Sequence, residues 1–344
     1  MKKTRIIDIE DSVTGDTPVL YRKDGRIRYG EIGDLIDSQM EEHERDGEGE
    51  RDILRENPEG IQVLSMDDEG NIGWNSVSLF MRHEVEKPVY EVETRTGRRI
   101  KVTEDHSLFT MGEHAGMEEV KPRELSEGDY LVTPRNLPVD TEEKGWDLTE
   151  KSEQLEGYFQ GGMDLEPLRE RLLDLAEKHG YSGHSVNHWI RESILPSEIF
   201  HDLEPEVDED SLTYKAAGSA EEIPAVMELD ETMMEFLGLW MADGCYDHSS
   251  TLITVSDAEC RNVVEQVFGR LGFPPKDHSD GHTLMAHSST LKEVMKAYGF
   301  EGDAYNKRLP EWVYSSSRKQ RHAFLRGLYS GDGYATEHEI GLDL

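Results

Sequence analysis

The sequence predicts a multidomain protein, with an all-β unit followed by an α/β unit. Three observations carry that expectation. The chain has 344 residues, enough for roughly two domains. Residues 12–138 are dense in short segments rich in Val, Ile, Tyr and Thr, divided by turn signals. Residues 231–344 instead mix helical spacing with strand-like runs.

In the first region, Thr17–Tyr21, Arg26–Tyr29, Gln62–Met66, Val89–Thr94, Arg99–Thr103 and Tyr130–Thr133 read as strands. Lys23-Asp24-Gly25, Asp68-Glu69-Gly70-Asn71, Thr96-Gly97 and Glu127-Gly128-Asp129 supply the turns. Many short strands at close spacing predict one compact β unit. Glu41–Glu56 is dominated by charge and predicts a solvated loop or frayed helix.

Residues 139–230 read as a helical insertion followed by an acidic linker. Glu166–His179 places Leu168, Leu172, Leu175 and Ala176 at helical spacing, with Gly180 as a stop. Ser185–Ser193 predicts a second short helix. The two could form a helix-turn-helix offering Asn187, His188 and Arg191 to DNA, or an ordinary helical hairpin. His179, His184 and His188 lack a metal-ligand pattern. Residues 202–230, acidic and containing Pro205 and Pro224, predict the linker. Beyond it, Thr232–Ala242, Ala258–Leu271, Thr290–Tyr298 and His322–Ser330 predict helices, and Thr251–Val255 a strand.

Composition narrows the function classes. Acidic residues number 73 against 37 basic ones, a net charge of −36. A basic DNA-coating protein is excluded as a description of the whole chain. No apolar run is long enough to cross a membrane as a helix, and no apolar stretch follows the N-terminal Met-Lys-Lys-Thr-Arg to make a secretory signal. Cys245 and Cys260 are the two cysteines, so no disulfide framework is implied and a reducing cytoplasm is the expected compartment. The acid excess is spread along the chain, as in proteins adapted to high salt or, more plainly, in an acidic soluble protein.

The strongest motif is a repeat. Phe236-Leu237-Gly238-Leu239-Trp240-Met241-Ala242-Asp243-Gly244 is echoed by Phe324-Leu325-Arg326-Gly327-Leu328-Tyr329-Ser330-Gly331-Asp332-Gly333. Each copy is an apolar helix with an internal glycine, ending in Asp-Gly. Gly238 and Gly327 remove Cβ atoms, so two such helices can approach closely. Asp243 and Asp332 would then share one end of the pair, and two adjacent carboxylates ask for a divalent cation. Unrelated buried helices with Asp-Gly turns would look similar one at a time; two copies favour function. From Tyr305 to Arg326 six basic residues, Lys307, Arg308, Arg318, Lys319, Arg321 and Arg326, face one acid, Glu311. Such an island in an acidic chain suits a phosphate backbone, although a solvated helix face is the plainer reading.

These two helices resemble the signature helices of the LAGLIDADG, or DOD-type, homing endonucleases. The resemblance implies an α/β domain over 231–344, a pseudo-two-fold helix interface, and Mg²⁺ at Asp243 and Asp332. It further implies cleavage of a long asymmetric double-stranded DNA site. Asn306-Lys307-Arg308-Leu309-Pro310 is similar to a basic block that family often carries, making Lys307 a candidate active-site lysine. Lys307, Arg308, Arg318, Lys319 and Arg321 are the candidate DNA contacts.

The β-rich region resembles a second family. Ser12-Val13-Thr14-Gly15-Asp16-Thr17-Pro18-Val19 resembles the start of an intein, Val102-Thr103-Glu104-Asp105-His106-Ser107-Leu108 its Thr-x-x-His block, and Leu125–Leu131 the strand entry that follows. The resemblance implies a Hint-type splicing domain over 12–138, with residues 1–11 as host (extein) sequence. Ser12 would attack the preceding carbonyl and turn an amide into an ester. His106 would protonate the departing nitrogen and Thr103 would support the strained amide. A strand end and turn is the structural alternative for Thr103 and His106. The start of the motif looks most like inteins of archaeal family B DNA polymerases, so a polymerase host in cis is expected, in a monomeric protein. Within 344 residues no C-terminal splicing block follows, and His338-Glu339 does not fit one. The Hint-type domain is therefore expected to be incomplete and the second endonuclease half truncated. A non-cleaving LAGLIDADG-type DNA-binding regulator and a stand-alone hedgehog-type autoprocessing domain are the competing expectations.

Overall fold

The computed structural model describes residues 12–43, 46–48, 51–67, 69–112, 116–139, 141–255, 257–335 and 340–342. The chain divides into two compact units, Met1–Asp140 and Thr141–Leu344. Residues 1–11, expected as host sequence, and His338-Glu339 lie outside the described residues.

The first unit is built of antiparallel ribbons. Its largest sheet runs Arg26–Glu31, Pro18–Lys23, Gln62–Met66, Ile72–Ser76. A second sheet pairs Asp46–Glu48, Arg51–Leu54 and Phe80–His83, and two hairpins join Val89–Glu93 to Arg99–Thr103 and Leu108–Met111 to Met117–Val120. The α-helix α1 (Ile32–Glu42) breaks the all-β expectation. It buries Leu35 and Met40 against Leu54, Ile61 and Phe80, forming a small core. The charge-rich segment expected as a loop or frayed helix over 41–56 contains two of those strands, and Leu54 anchors the second in the core. The strand expected over Tyr130–Thr133 reduces to one bridge, Leu131 to Thr110.

The second unit has one large core. Its helices are α2 (Arg169–Lys178), α3 (Gly183–Glu192), α4 (Ser197–Leu203), α5 (Glu231–Asp243), α6 (Ala258–Arg270), α7 (Ser289–Ala297), α8 (Glu311–Tyr314) and α9 (Arg318–Asp332). One sheet runs Ile194–Pro196, Gly157–Gln160, Thr213–Ala216, Ile223–Pro224, and another Gly244–Asp247, Ser250–Thr254, Thr283–His287, Lys276–Asp277. The segment expected as a linker over 202–230 is therefore folded. Its Tyr214, Ile223 and Ala225 are at most 1% exposed and join the same core as Trp240 and Phe324. Acidic neighbours hid the short alternation Thr213-Tyr214-Lys215-Ala216, in which Tyr214 and Ala216 face inward. Pro224 sits in an edge strand, where its missing N–H costs no ladder bond.

α2 and α3 pack through Leu172, Ala176, Val186 and Trp189, all buried. His184, Asn187 and His188 lie on the exposed side. Asn187 accepts from Arg169 at 2.7 Å, and His179 pairs with Asp202 at 2.7 Å. Among the described residues the three histidines make no metal cluster.

The repeated helices form the centre of this unit. α5 starts at Asp230, whose Oδ1 accepts from the Met233 N–H at 2.9 Å; α9 starts at Ser317 with a capping box to Gln320. Where α5 and α9 touch, a Cβ on Gly238 would lie 2.0 Å from the Phe324 carbonyl oxygen, and one on Gly327 would lie 2.0 Å from the Glu235 carbonyl oxygen. Only hydrogen fits at either position, so the two glycines set the spacing between the helices. Arg326 of α9 also pairs with Glu235 of α5 at 2.6 Å. Gln320, 2% exposed, donates to the Leu229 and Lys144 carbonyls at 2.8 and 2.7 Å, tying the start of α9 to the residue before the α5 N-cap and to Lys144.

Candidate functional sites

In the first unit, residues 12–14 align beside the strand Arg99–Thr103. Val13 bridges Val102, and the Thr14 N–H donates to the Lys101 carbonyl at 3.1 Å. Val102 is fully buried and fixes the strand. At its end, Thr103, 4% exposed, grips Ser12 from both sides of the residue. The Ser12 N–H donates to Thr103 Oγ1 at 3.2 Å; Thr103 N–H and Oγ1 donate to the Ser12 carbonyl at 3.0 and 3.3 Å. The backbone of Ser12 is thereby held in one orientation.

The turn after Thr103 is closed by the His106 N–H donating to the Thr103 carbonyl at 3.0 Å. Lys87 holds the Asp105 carboxylate at 2.8 Å, and Lys121 Nζ donates to the Asp105 carbonyl at 2.7 Å. The Lys87 hydrogen bond keeps the Asp105 carboxyl below its ordinary pKa. Two lysines thus pin the turn that carries His106. Thr103 and His106 are strand end and turn as well as candidate catalytic groups.

His83 is the residue the sequence did not point to. It ends the strand Phe80–His83, and its Nε2 lies 3.0 Å from Ser12 Oγ. A single histidine in an otherwise unremarked strand carries no spacing signal; only the folded register brings it to Ser12.

In the second unit, Asp243 and Asp332 are the last residues of α5 and α9, and each helix is followed by glycine. The close packing brings these ends together: Asp243 Oδ2 lies 3.3 Å from where a Cβ on Gly331 would sit. Asp243 is exposed and Asp332 half-buried. Burial raises the Asp332 pKa, the Asp243 charge raises it further, and Lys307 opposes both.

Lys307 lies against the end of α5. Its Nζ donates to the Trp240, Met241 and Ala242 carbonyls at 2.9, 3.1 and 3.2 Å, and stands 4.6 Å from the centre of the Trp240 ring. It therefore sits at the carbonyl end of α5, adding a charged donor to a helix terminus where the Gly244 N–H already reaches the Trp240 carbonyl. Burial lowers the Lys307 pKa, while Asp243 and Asp332 favour its charge. The rest of the basic stretch is divided. Arg308 and Arg318 are exposed. Lys319 pairs with Glu231 at 3.0 Å, and Arg321 donates to the Tyr314 carbonyl at 2.8 Å. The local excess of positive charge is thus partly committed within the unit.

Comparison with known proteins bears on both units. The family model for the intein splicing domain matches residues 23–320. A DNA polymerase of Thermococcus hydrothermalis is 25% identical over 334 residues, covering 94% of this chain and 15% of the relative. A DNA polymerase of Thermococcus aggregans is 36% identical over 126 residues, covering 37% of this chain and 6% of the relative. The chain thus spans a small part of the length of either polymerase. Among solved structures, the transcription factor IIB Mvu mini-intein is 26% identical with a TM-score of 0.34, over 37% of this chain and 70% of that one. The TvoVMA intein is 29% identical with a TM-score of 0.32, over 37% of this chain and 73% of that one. Among the described residues no helix is long and apolar enough to cross a membrane.

Proposed function

The chain belongs to the intein splicing family, and on that premise we propose that Ser12 performs the first step of protein splicing, an N-to-O acyl shift. The observation that supports this reading is the three-point grip of Thr103 on the Ser12 backbone. Holding the scissile residue rigidly converts its own side chain into an intramolecular nucleophile at high effective concentration. Ser12 Oγ attacks the carbonyl carbon of Asp11, the C–N bond to Ser12 breaks, and the released nitrogen gains a proton. His106, on its pinned turn, is the group assigned to deliver that proton. Thr103 Oγ1 keeps the departing N–H directed away as the amide loses planarity. The host is proposed to be a DNA polymerase, joined in cis, as in the relatives.

The test uses the 344-residue chain itself. Hydroxylamine captures an ester at Ser12 and frees the preceding peptide. Release is expected from the unaltered chain, not from Ser12→Ala, and about a hundredfold more slowly from His106→Ala. Equal release from Ser12→Ala would remove the assignment.

A second activity is proposed for the C-terminal unit, LAGLIDADG-type cleavage of double-stranded DNA. The glycine-spaced pair of α5 and α9, ending in Asp243 and Asp332, supports it. The site suits a divalent cation: a half-buried carboxyl destabilised by a neighbouring carboxylate gains from one. Asp243 and Asp332 would hold Mg²⁺, which when bound makes a water near a phosphate more acidic and screens developing charge. Lys307 fixes the end of α5 and so the position of Asp243, while exposed Arg308 and Arg318 are proposed to meet the DNA backbone, with Lys319 and Arg321 at its margin. Cleavage is favoured over the regulator reading because both acids stand at the helix ends.

A further inference from the structure

We propose that His83 is the general base for Ser12, an inference that rests on the acyl-shift reading above. A serine hydroxyl is a weak nucleophile unless a base takes its proton as it attacks. His106 is assigned the opposite task, proton delivery to nitrogen, so a second group has to accept the hydroxyl proton. His83 Nε2 stands 3.0 Å from Ser12 Oγ, within hydrogen-bond reach.

The other ring nitrogen decides which way that bond runs. His83 Nδ1 lies 3.2 Å from the Glu84 carbonyl oxygen. A carbonyl oxygen only accepts, so Nδ1 carries the ring proton. Nε2 then presents its lone pair, and the Ser12 hydroxyl donates to it. Nucleophile, base and an acceptor orienting the base form the arrangement that activates serine elsewhere, here with a backbone carbonyl as the third member.

The strand holds this geometry firmly. Phe80, 4% exposed, anchors it in the core, and His83 lies opposite Arg51 in the ladder. Arg82 is tied to Asp37 at 2.5 Å and to Asp52 at 2.9 Å. Beside the ring, a cleft of about 310 Å³ lined by Arg51, Glu84 and Lys87 admits water.

The step balances. The Ser12 O–H proton moves to His83 Nε2 as Oγ bonds to the Asp11 carbonyl carbon. The C–N bond then breaks and the Ser12 nitrogen takes a proton from His106. Water in the cleft removes the proton from His83, and water restores one to His106. No proton is gained or lost overall.

The experiment compares hydroxylamine-dependent release of residues 1–11 from five forms of the full chain: unaltered, His83→Ala, Ser12→Cys, the double variant of those two, and Ser12→Ala. Removing a general base is expected to slow the serine form about a hundredfold or more. A thiol, with a pKa about 8.5, ionises without such help. The same His83→Ala change is therefore expected to cost the cysteine form less than tenfold. Equal losses in both backgrounds would make His83 a folding residue and overturn the proposal, as would an unslowed His83→Ala in the serine form. Ser12→Ala separates the two readings: if it is inert while His83→Ala is normal, the base assignment alone falls. If Ser12→Ala releases the peptide normally, or the unaltered chain releases none, the acyl shift falls and takes the base with it.

Discussion

Gly238→Ala puts a methyl group where α5 and α9 leave no room. The new Cβ would sit 2.0 Å from the Phe324 carbonyl oxygen and 2.8 Å from the Leu328 nitrogen. Both are backbone atoms of α9, so no rotamer change relieves the overlap. Restoring an ordinary contact of about 3.4 Å would move the helices apart by roughly 1.4 Å. Such a shift loosens Phe236, Leu237 and Phe324, which are at most 1% exposed. Overpacking of this kind costs about 3 kcal/mol, and the better helix propensity of alanine returns about 1 kcal/mol. A net loss of about 2 kcal/mol is expected. Gly269→Ala is the control: it lies in α6, with nothing within 4 Å of the added methyl. There the propensity gain acts alone and stability should rise by up to about 1 kcal/mol. Urea unfolding followed by tryptophan fluorescence reads the difference, because four of the five tryptophans, Trp146, Trp189, Trp240 and Trp312, belong to the second unit. Gly327→Ala added to Gly238→Ala should cost less than it does alone, since the helices have already separated. If Gly238→Ala is as stable as the unaltered chain, or Gly269→Ala falls equally, the glycines do not set the helix spacing.

Two further outcomes follow from the same unit. Asp202 is held well below the ordinary carboxyl range, at about 2, first by Lys178 and then by His179. A depressed pKa in the fold stabilises above the unfolded carboxyl pKa and is lost as pH falls toward 2. Lys178 is 62% exposed, so solvent reduces the effect, and Asp202→Asn should cost about 1 kcal/mol at neutral pH. Thermal melts should show that difference vanishing near pH 2; a constant difference would assign the loss to packing. For DNA cleavage, Asp243→Asn with Asp332→Asn should abolish Mg²⁺-dependent nicking of long duplex DNA, and undiminished nicking would remove both from the cation site.

Much of this arrangement was legible before the fold was known, for physical reasons. The two Phe-Leu…Asp-Gly helices announce themselves because close backbone approach requires glycine at one internal position and leaves an acid at the end. Thr103 and His106 are legible because a four-residue turn keeps their spacing fixed. The contact of Ser12 with Thr103 spans 91 positions and still follows from the paired motifs. His83 was hidden, since a strand partner contributes by register rather than by spacing. The helix α1 and the strands within Thr213–Glu228 were obscured by acids: a short element with one or two inward residues looks solvated when its outward residues are charged. Lys307 read as a residue for phosphate, and the sequence alone could not show three helix carbonyls facing its ammonium.

Mass spectrometry of the hydroxylamine-treated chain addresses the first splicing step at the level of a single bond. Rearrangement at Ser12 predicts a liberated segment of residues 1–11 whose final α-carboxyl is a hydroxamate, together with a remainder whose amino terminus is Ser12. Capture at any other bond, or the same pair of products from Ser12→Ala, would contradict it.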